Sequence, residues 1–360
     1  MHETDDFTEV TGVARYVSTD CSIEEQWDIM KHLDLNNQQH YFVEKKDIAR
    51  FETLEVVCKL VGAMVQKINE NTIKGKNKSY YFYIGNNGSF NAFAYRYKDI
   101  DVYCLNVGVF HEVYEFFGSA ISDELFPEID GDLELRKDII YWGQMFVILY
   151  VVSHELGHIY DGHLDLLEKK EYFYMLEKSD LDAQMALDNR TIEMDADAFA
   201  MARVFNLVYN TNFNGSSNII KKLGESFLYK LMMFSLHSFY LFFEEEKLNL
   251  GDMAYEAYFP IKVRQFLNLD VAIAQLKKSD VLNQNEIEDI FYEMCIEAEK
   301  TWAIYKGKDL DLTVFGNLVD PRITQYVEEV LFENWNIMRD KLDEYARLEL
   351  APKRTVSREK

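Results

Sequence analysis

The sequence predicts a mostly helical α+β protein. Only four prolines and sixteen glycines punctuate 360 residues, which favours long helices. Apolar residues recur at helical spacing through most of the chain. One block, residues 79–106, changes to an aromatic, β-branched composition that suits strands.

Taken in order, residues 1–50 are mixed and polar, with a helix expected over 22–35 behind the cap-like STDCSIEE. Residues 49–69 place Leu54, Val57, Leu60, Val61, Met64 and Ile68 at helical spacing. Strands follow at SYYFYIG (79–85), SFNAFAYRY (89–97) and IDVYCLN (100–106), broken by NNG and KD; a small antiparallel sheet is expected. A helix over 109–119 precedes a long one over 134–160. Residues 164–190, dense in Lys and Glu, read as a solvated helix pair, or as a lid over a cleft. Further helices are expected at 191–210, 218–246, 262–278, 285–306 and 320–349, with a linker at 307–317 and a frayed tail at 351–360. These elements divide into a segment 1–50 of unknown role, a core 51–270, and a C-terminal helical subdomain 271–360.

With 62 acidic against 38 basic residues, the formal charge is −24. Such a surface repels phosphate backbones and anionic lipid, so nucleic acid is not the expected partner. Cys21, Cys58, Cys104 and Cys295 are scattered with no CxxC pair, as packed thiols in a reducing compartment would be. The start, MHETDDFTEV, has acid where a signal peptide needs base, and the expected localisation is cytoplasmic. The apolar runs at 139–152 and 231–243 fall short of the ~20 residues of a membrane span and read as buried helices.

The stretch YVVSHELGHIYDGH, 150–163, puts three of the eight histidines at the end of the apolar helix. His154 and His158 are separated by one helical turn and share a face, so two imidazoles can meet one metal ion. Glu155, one position on, can reach a water on that metal and act as general base, then acid. The apolar run anchors this helix and holds the ligands rigidly. A metzincin would place Gly at 161 and His at 164; Asp161 and Leu164 stand there, which excludes that class. In TIEMDADAFAMARVFNLV (191–208), Glu193 and Asp197 share one helix face, and alanines 196, 198, 200 and 202 let a neighbour approach closely. Glu193 fits as third zinc ligand, and Asp197 as the carboxylate that accepts a hydrogen bond from a ligand histidine. One zinc per chain is expected.

HELGH followed by EMDAD resembles the gluzincin pattern HExxH…ExxxD, and more closely the group of the CAAX prenyl protease and the bacterial heat-shock membrane protease. NAFA (91–94) ahead of IDVYC resembles that group's hairpin, and His163 resembles its additional histidine. YFPIKVRQF (258–266) is similar to its His-Pro…Arg element, with Phe259 where the histidine would be and Arg264 retained. Soluble relatives with similar motifs are the Lit-type phage-exclusion peptidases and the ImmA/IrrE metallopeptidases. The resemblance spans roughly residues 50–270 and is confined to motifs. It implies a zincin-like core of an active-site helix, a glutamate helix and a small sheet. It also implies an endopeptidase acting on a cytosolic protein, in regulated phage defence or stress. Substrate would add as a strand near Asn91, and His163, His237, Tyr258 and Arg264 are candidates to contact substrate or transition state. His237, inside an apolar helix, also suits a core role, and Arg264 a structural tie from the Pro260 loop to Asp197 or to another buried acid. Two other readings stand beside this one: a metal-stabilised interaction module with no hydrolytic role, and an amide hydrolase of a non-protein substrate.

Overall fold

The computed structural model of the protein describes residues 14–16, 52–73, 79–97, 100–169, 183–214, 222–243, 259–281, 283–310 and 321–353. The expected helix over 22–35, residue Tyr258, most of the 307–317 linker and most of the C-terminal tail lie outside them. The described elements in chain order are β1 (Ala14–Tyr16), α1 (Glu52–Asn69), β2 (Ser79–Gly85), β3 (Ala92–Tyr97), β4 (Ile100–Asn106), α2 (Val107–Ala120) and α3 (Leu133–Tyr160). They continue with α4 (His163–Lys169), α5 (Ala183–Asn214), α6 (Glu225–Leu241), α7 (Ile261–Lys278), α8 (Gln284–Lys306), α9 (Pro321–Tyr326) and α10 (Phe332–Leu342). This is a mostly helical α+β chain with one small sheet, as composition and periodicity predict.

The chain forms two compact units. One comprises residues 1–111, 155–174 and 339–352, and the other 112–154, 175–338 and 353–360.

The first unit holds the sheet, whose strands are ordered β1-β2-β4-β3. The expected antiparallel arrangement is corrected: β4 pairs in parallel with β2 and antiparallel with β3, and the short β1 joins β2 in parallel. Burial explains the order. Six of the seven β4 residues are buried, so this near-continuous apolar strand takes a central position. The chain leaving β2 passes β4's place before turning back, and its loop crosses close to the start of α2. A side chain at Gly108 would stand 2.3 Å from the Gly88 carbonyl oxygen, so the crossing requires glycine there. β3 begins at Ala92, three residues later than expected.

The same unit secures the end of α3 with a buried charge cluster. Arg96 pairs with Asp101 at 2.7 Å and with Asp165 of α4 at 2.9 Å. Arg347 pairs with Asp101 at 2.5 Å and stacks over Tyr160, 5.8 Å from the ring centroid. Its backbone N–H also donates to the Tyr160 carbonyl at 2.7 Å, satisfying a group that the helix end would otherwise leave open. The expected helix over 320–349 therefore stops at Leu342: it carries a π turn at Val327–Leu331, and residues 343–350 leave helical geometry to make this contact.

In the second unit, the glutamate-bearing helix is longer than expected. α5 starts at Ala183, and Arg190 is buried within it, its Nη2 donating to the Tyr326 hydroxyl at 2.9 Å. Together with buried Leu164, Leu166 and Leu167 in α4, this corrects the solvated-pair expectation for the described parts of 164–190. Of the expected helix over 218–246, the described residues 222–243 hold α6, preceded by a break at Gly224. α3 matches the expected 134–160 to within one residue. Its best 18-residue window has mean hydropathy 1.3, long and apolar enough to cross a membrane, but 78% of that window is buried in protein. Cys58, Cys104 and Cys295 are unbridged.

The second unit also buries a polar cluster. His237 of α6 donates from Nε2 to Glu299 of α8 at 2.8 Å, and the Lys262 ammonium reaches the same carboxylate at 2.8 Å. Burial alone would raise the Glu299 carboxyl, but His237 and Lys262 outweigh it and hold the pKa at about 2. Burial depresses the pKa of His237. His237 is thus a partnered core residue.

A prediction follows for acid stability. Below pH ~6.5 for His237 and ~4.5 for Glu299, the unfolded chain binds protons the folded protein refuses, so stability falls as pH drops toward about 2. Urea denaturation across pH 7 to 3 should show this decline. Glu299→Gln should be less stable at pH 7 yet have a shallower slope below pH ~4.5. An unchanged slope would remove Glu299 from the account.

Candidate metal centre

α3 carries the HELGH motif in its last two turns, with Val152, Leu156 and Ile159 fully buried on its core side. Packing on that side fixes the rotation of the helix, and with it the face that carries His154 and His158. Glu193 lies on α5, in the same unit as His154. One donor atom from each of His154, His158 and Glu193 lies within 4.8 Å of the others. His154 Nε2 is 3.5 Å from Glu193 Oε2. Donors held ~2.1 Å from a tetrahedral ion stand about 3.4 Å apart, so this edge is already at the spacing a zinc site needs. Among the described residues, the group that meets this spacing includes neither Asp161 nor Asp195.

The remaining nitrogen of each histidine is also engaged. His154 Nδ1 lies 2.9 Å from Asp197 Oδ1. His158 Nδ1 lies 3.1 Å from His163 Nδ1. His154 thus has Nδ1 toward Asp197 and Nε2 toward Glu193, and His158 has Nδ1 toward His163.

Asp197 is buried and shared. Arg264 of α7 donates to it through Nε at 2.7 Å and Nη2 at 2.8 Å, and Nη2 also lies 3.3 Å from Glu193 Oε2. The Tyr150 hydroxyl donates to Asp197 at 3.1 Å and is 2.5 Å from the Tyr240 hydroxyl. Asn268 hydrogen-bonds to both tyrosines. Burial would raise the Asp197 carboxyl, but Arg264 and His154 hold it far below the usual carboxylate range. Burial disfavours a charged His154, yet Asp197 and Glu193 overcome it and lift that imidazole's pKa to about 10. The pocket around His154 thus stabilises positive charge. A dication fits it: two imidazole nitrogens and a carboxylate oxygen are donors of the kind a catalytic zinc takes.

Glu155 is buried and belongs to the unit that holds the sheet. Its charge raises the Tyr103 hydroxyl of β4, after burial as the main cause. Among the candidates for substrate contact, Arg264 is committed to Asp197 and Glu193, the structural tie considered above. His163 is completely buried against His158. Asn91 is exposed next to the edge strand β3, with its side-chain oxygen accepting from the Ala92 N–H at 2.9 Å. Phe259 is buried, beneath the Arg190 guanidinium at 5.9 Å and beside Tyr326.

Sequence reasoning missed Tyr150, Tyr240 and Asn268. A spacing signal existed for two of them. Tyr150 precedes His154 by one helical turn, and Asn268 follows Arg264 by one turn, so each lies on the face of a residue already singled out. Tyr240, three positions after His237, had only a weaker cue, since His237 also suits a core role.

Comparison with protein-family models, curated proteins and solved structures finds no match.

Asp197→Ala should weaken zinc affinity by roughly 10–100-fold, measured by competition with a chromogenic chelator. Because it strips Arg264 of its main buried partner, it should also destabilise the fold by ~3–5 kcal/mol in urea. Loss of stability with unchanged zinc affinity would leave Asp197 as a structural partner of Arg264 alone.

Proposed function

We propose that the chain is a zinc-dependent endopeptidase of the gluzincin kind, hydrolysing a peptide bond in a protein substrate. The observation that supports this best is the convergence of His154, His158 and Glu193, with Glu155 next to the first ligand in sequence. A zinc ion held by the three would supply Lewis-acid polarisation of water and of the scissile carbonyl. Glu155 takes the proton of the attacking water and delivers it to the leaving amine nitrogen. Asp197 and His163 keep the two imidazoles aligned, and Arg264 balances the buried acids. An extended peptide would add along the outer edge of β3, the strand that follows Asn91. The formal charge of −24 disfavours a nucleic-acid substrate.

Purified protein should carry about one zinc per chain, and His154→Ala/His158→Ala should carry none, by metal analysis. Full occupancy in that double variant would sink the assignment. Glu155→Gln should keep zinc and fold, since Glu155 is not a ligand, yet lose hydrolysis by at least ~10²-fold. A proteome-wide search for new N-termini in cells expressing wild type or Glu155→Gln provides the readout. New termini that appear equally with both would rule out Glu155 as the base. Zinc binding with no wild-type-specific termini would favour the interaction module or a non-protein amide.

A further inference from the structure

We infer that His163 is a positioning residue that sets which nitrogen of His158 is open to a metal; this rests on the metal-centre reading above. Gly162, in the left-handed region at φ +84°, turns the chain sharply at the end of α3. The turn is held in place by residues 345 and 346, since a Cβ on Gly162 would stand 2.7 Å from the Ala346 nitrogen. It starts α4 at His163 and brings that ring back to His158, with Nδ1 atoms 3.1 Å apart and ring centroids 5.2 Å apart. His163 has no solvent exposure, so its surroundings are fixed by the protein.

Two imidazole nitrogens at this distance share one proton: one donates and the other accepts. If His163 donated, neutral His158 would accept at Nδ1 and carry its own proton on Nε2, closing that nitrogen to a cation. If His158 donates, its Nε2 lone pair is exposed to the metal and His163 keeps its proton on Nε2. Metal binding selects the second arrangement, and His163 serves as the acceptor. Asp197 does the same for His154 at 2.9 Å. The two differ in charge. Asp197 is an anion that Arg264 balances, whereas a neutral imidazole orients His158 without adding another buried charge.

The test compares full-length wild type, His163→Leu and His163→Gln. Zinc affinity is read by chelator competition, site geometry by the visible spectrum of the cobalt(II)-loaded protein, and the His158 tautomer by two-bond ¹H–¹⁵N NMR. His163→Leu, which cannot accept, should bind zinc roughly 10–100-fold more weakly and shift the cobalt spectrum. His163→Gln retains an acceptor oxygen and should recover most of the affinity. Zinc-loaded wild type should show His158 protonated at Nδ1. Wild-type affinity in His163→Leu, or a glutamine variant as weak as leucine, would overturn the inference, as would coordination through His158 Nδ1. The NMR result decides the matter even if the leucine variant does not fold. Absence of zinc binding by wild type would fail the metal-centre reading itself and take this inference with it. Zinc binding by wild type that is lost in His154→Ala but unaffected by His163→Leu would fail the inference alone.

Discussion

The buried carboxylate of Asp197 is the constraint around which the second unit's part of the candidate site is arranged. A charge removed from water is tolerated only when paired and hydrogen-bonded. Here Arg264 supplies a bidentate guanidinium, His154 a ring nitrogen and Tyr150 a hydroxyl. These partners come from α3 and α7, while Asp197 itself comes from α5. One turn before it on α5, Glu193 faces His154, so the pairing that satisfies Asp197 also sets Glu193 beside that imidazole. The cationic bias around His154 has the same origin: two carboxylates face one imidazole, and one guanidinium offsets them only in part.

The sheet-bearing unit uses a similar principle for a different purpose. Asp101 and Asp165 are balanced by Arg96 and Arg347, four charged side chains that neutralise one another out of water. This cluster joins β3 and β4 to α4, and Arg347 brings in the segment after the last helix. Through Tyr160 and Gly162, that segment also fixes how α3 ends. The position of His163 depends on that ending, so a contact some 180 residues downstream in the chain bears on the orientation of His158.

Much of the candidate site could be read directly from local spacing. A helical turn separates His154 from His158, Glu193 from Asp197, and Arg264 from Asn268, and each pair therefore shares a face. Helix boundaries were legible wherever an apolar period met a clear break, as in α1, α7 and α8. They were not legible where long-range contacts override local pattern. Residues 183–190 look polar, yet Arg190 is drawn into the helix and buried by Tyr326 and Phe259, which lie far along the chain. Residues 343–349 look helical, yet the hydrogen bond to Tyr160 and the ion pair with Asp101 pull them out of the helix.

By itself the sequence determined the helical class, the helix that carries HELGH, the face on which its histidines lie, and the pairing of Glu193 with Asp197 on another helix. Those properties follow from the 3.6-residue period, which is local and needs no knowledge of neighbours. Only the tertiary structure decided that β4 runs parallel to β2, because strand direction depends on where a fully buried strand can be placed. It alone decided that Arg264 closes on Asp197, that Tyr240 completes the hydrogen-bond network, and that His163 turns inward to His158. Each of these is a pairing of buried polar groups across long stretches of chain or around a glycine-enabled turn. The requirement that such groups be satisfied acts on the folded whole and leaves no period in the sequence.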